Sequence, residues 1–297
     1  MVKVVISGAT GFLGGELAWR LEDLGHRVAA LSRRHRRERE TVIWDPNAGR
    51  LDSESLTGAD AVVHLAGESV AGRWTKARRR AIRDSRVLGT ALLARSLAGL
   101  AAPPRVLVCA SGVNVYGHGG DAVLTETSPS GNGFLAGVCR EWEAAADPAR
   151  AAGIRVVHLR FGLVLGRDGG ALPRMLPLFR LGLGGVLGSG RQYMSWITLD
   201  DAVGVIMRAV EDDSLTGPVN AVAPGPVTNR EFTRTLARAL RRPAVLPVPA
   251  AALRLALGRA ADELLLSSLR VQPAVLQASG HPFSTPDLPS ALAAVLA

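Results

Sequence analysis

The residues with the clearest chemical meaning stand at the start of the chain. Gly8, Gly11 and Gly14 recur at three-residue spacing in Ser7-Gly8-Ala9-Thr10-Gly11-Phe12-Leu13-Gly14. Glycine is required where backbone turns tightly or must approach a pyrophosphate closely. A helix that begins at such a turn offers free N–H groups and a partial positive charge to phosphate. The triplet alone would mark only a glycine-rich turn. Here it separates an apolar, β-branched run at 2–6 from a helical pattern at 16–24 stopped by Gly25, which is the strand–turn–helix context of a dinucleotide site. Gly8, Thr10, Gly11, Phe12, Leu13 and Gly14 are therefore candidate cofactor contacts.

A second signal ends the next strand, at 27–31. A chain that binds NAD usually places Asp or Glu about 20 residues past the glycines, on the ribose 2′-OH. Here the residues are Leu31-Ser32-Arg33-Arg34. A guanidinium forks onto phosphate, so a hydroxyl and two arginines point to the 2′-phosphate of NADP(H), with solvated loop charges as the plainer reading. A third candidate is His64-Leu65-Ala66-Gly67-Glu68, at the end of another strand, where small residues let a cofactor pack against backbone. His64 alone reads as a packed core histidine. A fourth is Ala110-Ser111-Gly112-Val113-Asn114-Val115-Tyr116-Gly117. The hydroxyls of Ser111 and Tyr116 could orient a reacting carbonyl or carbinol. A capping serine and a packed tyrosine would produce the same residues. No metal-ligand spacing is present.

These residues need a scaffold that brings strand ends together. Strand patterns at 2–6, 27–31, 41–44, 61–66, 105–110 and 155–161 alternate with helical ones at 16–24, 75–97 and 135–152. That alternation is the signature of βαβ units and a parallel sheet. The fold class is therefore α/β: a Rossmann-type doubly wound parallel sheet with a smaller C-terminal α/β substrate lobe. We place the NADP-binding Rossmann domain at 1–165, with 219–222 returning to it as a strand, and the substrate-covering lobe at 166–297. Thr228 or Asn229 caps a further helix, with Glu231 in its first turn. The glycines at 182–190 read as a flexible flap or as an ordinary surface loop, with Arg191 just beyond.

Composition limits the alternatives. The chain has 297 residues, 47% of them hydrophobic, enough for a sizeable core, so disordered and disulfide-framework classes are excluded. Cys109 and Cys139 read as small buried hydrophobes, which suits a reducing compartment and a cytoplasmic location. No apolar stretch of roughly 18 residues is present, so no membrane span is expected. The formal net charge is +9, yet only Lys3 and Lys76 are lysines and aromatics are 4%. Basic runs at 33–39 and 73–86 with so few stacking rings favour a small anionic ligand over nucleic acid.

Taken in order, these motifs resemble the extended or atypical short-chain dehydrogenase/reductase superfamily, and its epimerase-like branch with a C-terminal domain of unknown function. The resemblance also draws on Arg73-Trp74-Thr75, Ser85-Arg86-Val87-Leu88-Gly89-Thr90, Phe134-Leu135-Ala136 to Trp142-Glu143, and Leu159-Arg160-Phe161-Gly162-Leu163-Val164-Leu165-Gly166. It continues through Trp196-Ile197-Thr198-Leu199-Asp200-Asp201, Asn220-Ala221-Val222-Ala223-Pro224 and Leu264-Leu265-Leu266-Ser267-Ser268, and so covers nearly the whole chain. It implies NADP(H) bound with Ser32 and Arg33 at the 2′-phosphate. Leu65, Ala66 and Gly67 would line the cofactor, Arg86 would face it, and Arg160 would meet an anion of cofactor or substrate.

One departure is large. The superfamily's catalytic members carry Tyr-x-x-x-Lys, whereas here Gly120 follows four residues after Tyr116 and Ile197 four after Tyr193. The expected function is an NADP(H)-dependent oxidoreductase or nucleotide-sugar epimerase-like protein with Ser111 and Tyr116 as catalytic candidates. Asp121 and Glu126 are conceivable carboxylate substitutes, with solvated loop charges as the plainer reading. The alternative is an NADP(H)-binding sensor without turnover. Expected partners are a small-molecule substrate, anionic by the Arg160 reading, and, by analogy with related folds, a second copy in a homodimer.

Overall fold

The computed structural model describes residues 1–35 and 39–297; the middle of the basic run at 33–39 lies outside the described residues. Each continuous apolar run becomes a strand buried on both faces, because successive side chains point to opposite sides of a sheet. Val4 and Ile6 of β1 (Lys3–Ser7) enter one core layer and Val5 the other. The same alternation governs β2 (Arg27–Ser32), β5 (Ala61–His64), β6 (Val106–Gly112) and β8 (Arg155–Phe161). With β3 (Glu40–Asp45), β4 (Arg50–Leu51) and β12 (Gly217–Ala221) they form one eight-stranded sheet in the order β12-β8-β6-β5-β1-β2-β3-β4. All neighbours are parallel except β3 and β4. The strand order reverses between β1 and β5, where open α/β sheets form their ligand crevice.

Helices α1 (Phe12–Asp23) and α6 (Leu199–Glu211) cover one face; α2 (Lys76–Ala98) and α4 (Asp147–Ala151) cover the other. α2 starts where the sequence places it, with the Thr75 hydroxyl accepting from the Arg78 amide at 3.1 Å. The helix expected at 135–152 is instead two, α3 (Phe134–Ala144) and α4. Pro148 has no N–H to donate to the Ala144 carbonyl, so the first helix stops there. The strand expected at 61–66 ends at His64, because the Leu65 and Ala66 amides turn onto the Ser7 hydroxyl, each at 3.1 Å.

The C-terminal residues are interleaved with this sheet. β12 and α6 belong to it, whereas α5 (Leu172–Arg180), α7 (Asn229–Ala239) and α11 (Leu288–Leu296) surround a separate core around Trp196 and Phe232. Thr228, not Asn229, caps α7 through a reciprocal box with Glu231. Short pairs complete this half: β9 (Leu163–Leu165) with β11 (Trp196–Thr198), β10 (Tyr193–Met194) with β13 (Val227–Thr228), and β7 (Val123–Leu124) with β14 (Arg270–Val271). Helices α8 (Ala250–Leu257), α9 (Arg259–Leu264) and α10 (Ala274–Ala278) fill the remainder. The glycines at 182–190 do not form a free flap. Gly188 donates to the Val248 carbonyl and Val248 to the Val186 carbonyl, both at 2.9 Å, and Leu187 donates to Asn229 Oδ1 at 2.8 Å. Here glycine permits close packing: a Cβ on Gly185 would collide with the Leu246 carbonyl. Among the described residues no helix is long and apolar enough to cross a membrane.

Candidate cofactor and substrate site

β1 leads into the glycine turn. Gly8 has a φ of +75°, and a Cβ there would lie 3.1 Å from the Ala66 amide nitrogen. The Gly11 amide donates to the Gly8 carbonyl at 2.8 Å, and any side chain on Gly14 would strike that same carbonyl. Helix α1 thus begins pressed against the turn, and no side chain caps it. Its first N–H groups remain available to an anion. Thr10 and Gly11 are exposed on this turn. The Phe12 ring lies under Gly166, Gly169 and Gly170, and Leu13 packs on the core, so these two could meet a ligand only through backbone.

Ser7 joins the two crevice loops. Its hydroxyl accepts from two amides and lies 2.6 Å from His64 Nδ1. Its own proton therefore goes to Nδ1, and the neutral ring carries its proton on Nε2, which has no partner among the described residues. Burial, and secondarily the Arg86 charge, push the His64 pKa down to about 4. The ring is fully buried with its edge toward Trp44, centroids 5.6 Å apart, so His64 is packing, as its sequence suggested.

This has a consequence for acid stability. A histidine held neutral in the fold contributes stability that is intact above its ordinary pKa of 6.5 and is lost as pH falls through about 4. A shift of that size corresponds to about 3 kcal/mol. Burial also holds His158 down to about 4, so both share the window. Urea denaturation between pH 7 and pH 4 is expected to show the decline, with a shallower slope in His64→Gln. Identical slopes in the two proteins would remove His64 as a source.

Ser32, Arg33, Ala66 and Gly67 line one cavity of ≈ 290 Å³ together with Gly8 and Trp44. Arg33 is exposed there, and the Ser32 hydroxyl accepts from the Arg34 amide at 3.3 Å. Leu65 packs against the core. Arg86 lies behind Gly67: its guanidinium donates to the carbonyls of Glu68 at 2.8 Å and Ile82 at 3.1 Å and stacks 5.0 Å from the Trp142 ring centroid. It braces the loop that follows β5. Along α2, Arg78, Arg80 and Arg83 each meet a carboxylate.

At the ends of β6 and β8 the fold brings Ser111, Tyr116 and Arg160 together, but with partners the sequence reading did not assign. The Arg160 guanidinium forks onto Glu143, Nε to Oε1 at 2.9 Å and Nη2 to Oε2 at 2.8 Å. Its Nη1 donates to the Tyr116 hydroxyl at 2.9 Å. That hydroxyl donates to Asn220 Oδ1, and Ser111 donates to Glu143 Oε1, both at 2.7 Å. Tyr116 is 3% exposed and Arg160 9%. Burial raises the Tyr116 pKa. The Glu143 carboxyl is half-buried, which alone would raise its pKa, but the Arg160 hydrogen bonds and charge outweigh that and hold it below the ordinary value. Glu126 is not a solvated loop charge: it is buried and accepts from the Asn220 amide at 3.0 Å. Asp121 is exposed.

A cavity of ≈ 250 Å³ opens beyond these strand ends, between the sheet and the C-terminal half. Val113, Asn114, Phe161 and Gly162 line it from the sheet, and Tyr193 and Glu263 from the other side. Glu263 accepts from the amides of Phe134 at 3.0 Å and Leu135 at 2.7 Å. It therefore caps α3 where a Tyr-x-x-x-Lys pair would have begun. Sequence reading missed Glu143, Asn220, Tyr193 and Glu263. For Glu143 a signal existed. It stands four residues after Cys139 on the buried face of α3, and Arg160 stands in an apolar strand, so each charge needed the other. For Glu263, from a distant helix, no local signal exists.

The strand order, the uncapped helix and the glycine turn define a Rossmann-type doubly wound α/β protein. Residues 4–222 match the NAD dependent epimerase/dehydratase family and residues 248–295 a domain of unknown function, DUF1731. An epimerase family protein of Mycobacterium bovis is 44% identical over 94% of this chain and 93% of its own. The chain belongs to the NAD-dependent epimerase/dehydratase family. The crystal structure of human epimerase family protein SDR39U1 (isoform 2) with NADPH superimposes with a TM-score of 0.88, at 36% identity, over 99% of this chain and 98% of that one. A nucleoside-diphosphate sugar epimerase of Corynebacterium glutamicum matches with a TM-score of 0.83 and 38% identity, over 99% of this chain and 58% of that one.

Proposed function

We propose that the protein is an NADP(H)-dependent oxidoreductase of the epimerase family. The observation that carries this reading is the open N-terminus of α1 beside Gly8, Gly11 and Gly14, with Ser32 and Arg33 in the same crevice. The pyrophosphate would rest on the amides of Thr10, Phe12 and Leu13, and the absence of a side chain on Gly14 lets α1 begin close against the turn. Ser32 and Arg33 would hold the 2′-phosphate, and the backbone of Leu65, Ala66 and Gly67 would line the adenosine ribose. When bound, the nicotinamide supplies hydride transfer at the ends of β6 and β8. That a relative of 36% identity is crystallised with NADPH supports the reading.

Arg160 is assigned here to the protein and not to a ligand, because Glu143 neutralises its charge and three of its N–H groups go to Glu143 and Tyr116. By the same reasoning Ser111 and Tyr116 position the strand ends, their hydroxyls being committed to Glu143, Arg160 and Asn220. Arg86 supports the cofactor loop from behind. The lack of Tyr-x-x-x-Lys favours a second reading, an NADP(H)-binding sensor, which NADPH turnover with any carbonyl substrate excludes.

Calorimetry tests the cofactor assignment. Arg33→Ala is expected to weaken NADPH about 10- to 100-fold, the loss of one or two hydrogen bonds to a charged phosphate, while NADH binding stays unchanged. Unaltered NADPH affinity would refute the 2′-phosphate role.

A further inference from the structure

The cavity between the sheet and the C-terminal half carries information about what it can hold. Its walls are mainly aliphatic: Val70, Val113, Leu163, Leu187, Leu264 and Leu269 all contribute. Among the described residues lining it, Glu263 is the one with a formal charge, and that charge is negative. Of the nearby cations, Arg160 is neutralised by Glu143 beneath the strand ends, and Arg270, 4.9 Å from the Tyr193 ring centroid, lines neither this cavity nor the one beside it. An adjoining cavity of ≈ 320 Å³ shares Asn114, Glu263 and Ser267 with the first. It adds Arg254, but also Asp262, which takes the Arg254 Nε at 2.8 Å. Across both cavities two carboxylates face one guanidinium that is already paired.

A nucleoside diphosphate carries at least two negative charges and needs donors to replace the water it loses. Neither cavity offers an unpaired cation for that purpose. Within the lining, Ser195 donates to the Leu269 carbonyl at 2.7 Å, and Asn229 is taken up by the Leu187 amide. The Tyr193 hydroxyl is the lining donor with no protein partner among the described residues.

We infer that this cavity takes a compact, uncharged carbonyl compound or the corresponding alcohol, and that nucleoside-diphosphate sugars are not its substrates. The inference rests on the oxidoreductase reading above, and the Tyr193 hydroxyl is the group available to hydrogen-bond the carbonyl oxygen.

Saturation-transfer NMR on the NADPH-saturated protein tests it. One arm uses UDP and UDP-glucose; the other uses a panel of uncharged cyclic and aromatic ketones and aldehydes. The expected result is saturation transfer to at least one uncharged compound and none to UDP or UDP-glucose. Ser267→Trp, which fills the cavity, should abolish the carbonyl signal while NADPH affinity by calorimetry is retained. Tyr193→Phe should weaken the carbonyl compound several-fold with NADPH affinity unchanged. Saturable binding of UDP or UDP-glucose that Ser267→Trp removes would overturn the inference, and so would binding of no uncharged compound to the NADPH-bound protein. Failure of NADPH itself to bind would instead refute the cofactor reading, so the two failures are distinguishable.

Discussion

Replacing Arg160 with methionine is expected to destabilise the protein by about 3–5 kcal/mol, the usual cost of leaving a buried charge without its partner. The stranded group is Glu143, whose two oxygens accept from Arg160 at 2.9 and 2.8 Å. The Tyr116 hydroxyl would lose a donor in the same step. Methionine fills much of the arginine stem's volume, so little of the loss would come from a cavity. The double variant Arg160→Met/Glu143→Leu is expected to recover most of the lost stability, because it removes both charges together. Acid should narrow the difference between wild type and the single variant. In the wild type the Glu143 carboxyl is held below its ordinary 4.5, so the stability it contributes is intact above pH 4.5 and is lost as pH falls through the lower folded value. Guanidinium denaturation at pH 7 and pH 3 reads both effects. A single variant as stable as wild type at pH 7 would show that the pair is dispensable.

Gly14→Ala is expected to cost about 1–3 kcal/mol as an overpacking substitution, and to abolish measurable NADPH binding. Glycine's freedom of φ is not the reason. The added methyl would strike the Gly8 carbonyl, and that carbonyl also accepts from the Gly11 amide at 2.8 Å. Relief requires α1 to move away from β1, and the movement carries the helix N-terminus away from the crevice. Gly15→Ala is the matched control, since a Cβ there meets nothing closer than the Ala9 carbonyl at 3.8 Å. Calorimetry with NADPH and a thermal melt, run on both variants, separate binding from folding. If Gly14→Ala melts normally and binds NADPH as wild type does, the phosphate does not rest on this turn.

The Gly14 substitution acts within one local turn and the Arg160 substitution between segments distant in sequence, and that difference explains what could be read beforehand. The strands at 2–6 and 155–161 were legible because a strand buried on both faces must be mainly apolar, which is a local property. The same holds for the glycine turn, where steric demand dictates residue type over seven positions. The helix at 135–152 was misread as continuous because its apolar periodicity outweighed the one residue, Pro148, that breaks the hydrogen-bond ladder. The glycines at 182–190 admit both a flap and a surface loop for a different reason. Glycine is favoured both where backbone is free and where another backbone lies against it, and sequence alone does not separate the two cases.

The site divides along the same line. Gly8, Gly11, Gly14, Ser32 and Arg33 were recognisable as candidates because each lies in the turn or at the strand end that lines the crevice, a local feature of the chain. Ser111, Tyr116 and Arg160 were recognisable as polar residues near strand ends, but not as members of one hydrogen-bonded network. The partners Glu143 and Asn220 come from α3 and β12, and only the packing of those elements joins them. Local order along the chain thus determined the sheet, the crevice and the glycine turn, since those depend on period, residue size and spacing. Which charges are left free, and hence the chemistry of the substrate cavity, was decided by tertiary structure. Electrostatic pairing acts between neighbours in space, and Glu143, Arg160 and Glu263 become neighbours of their partners only once the chain has folded.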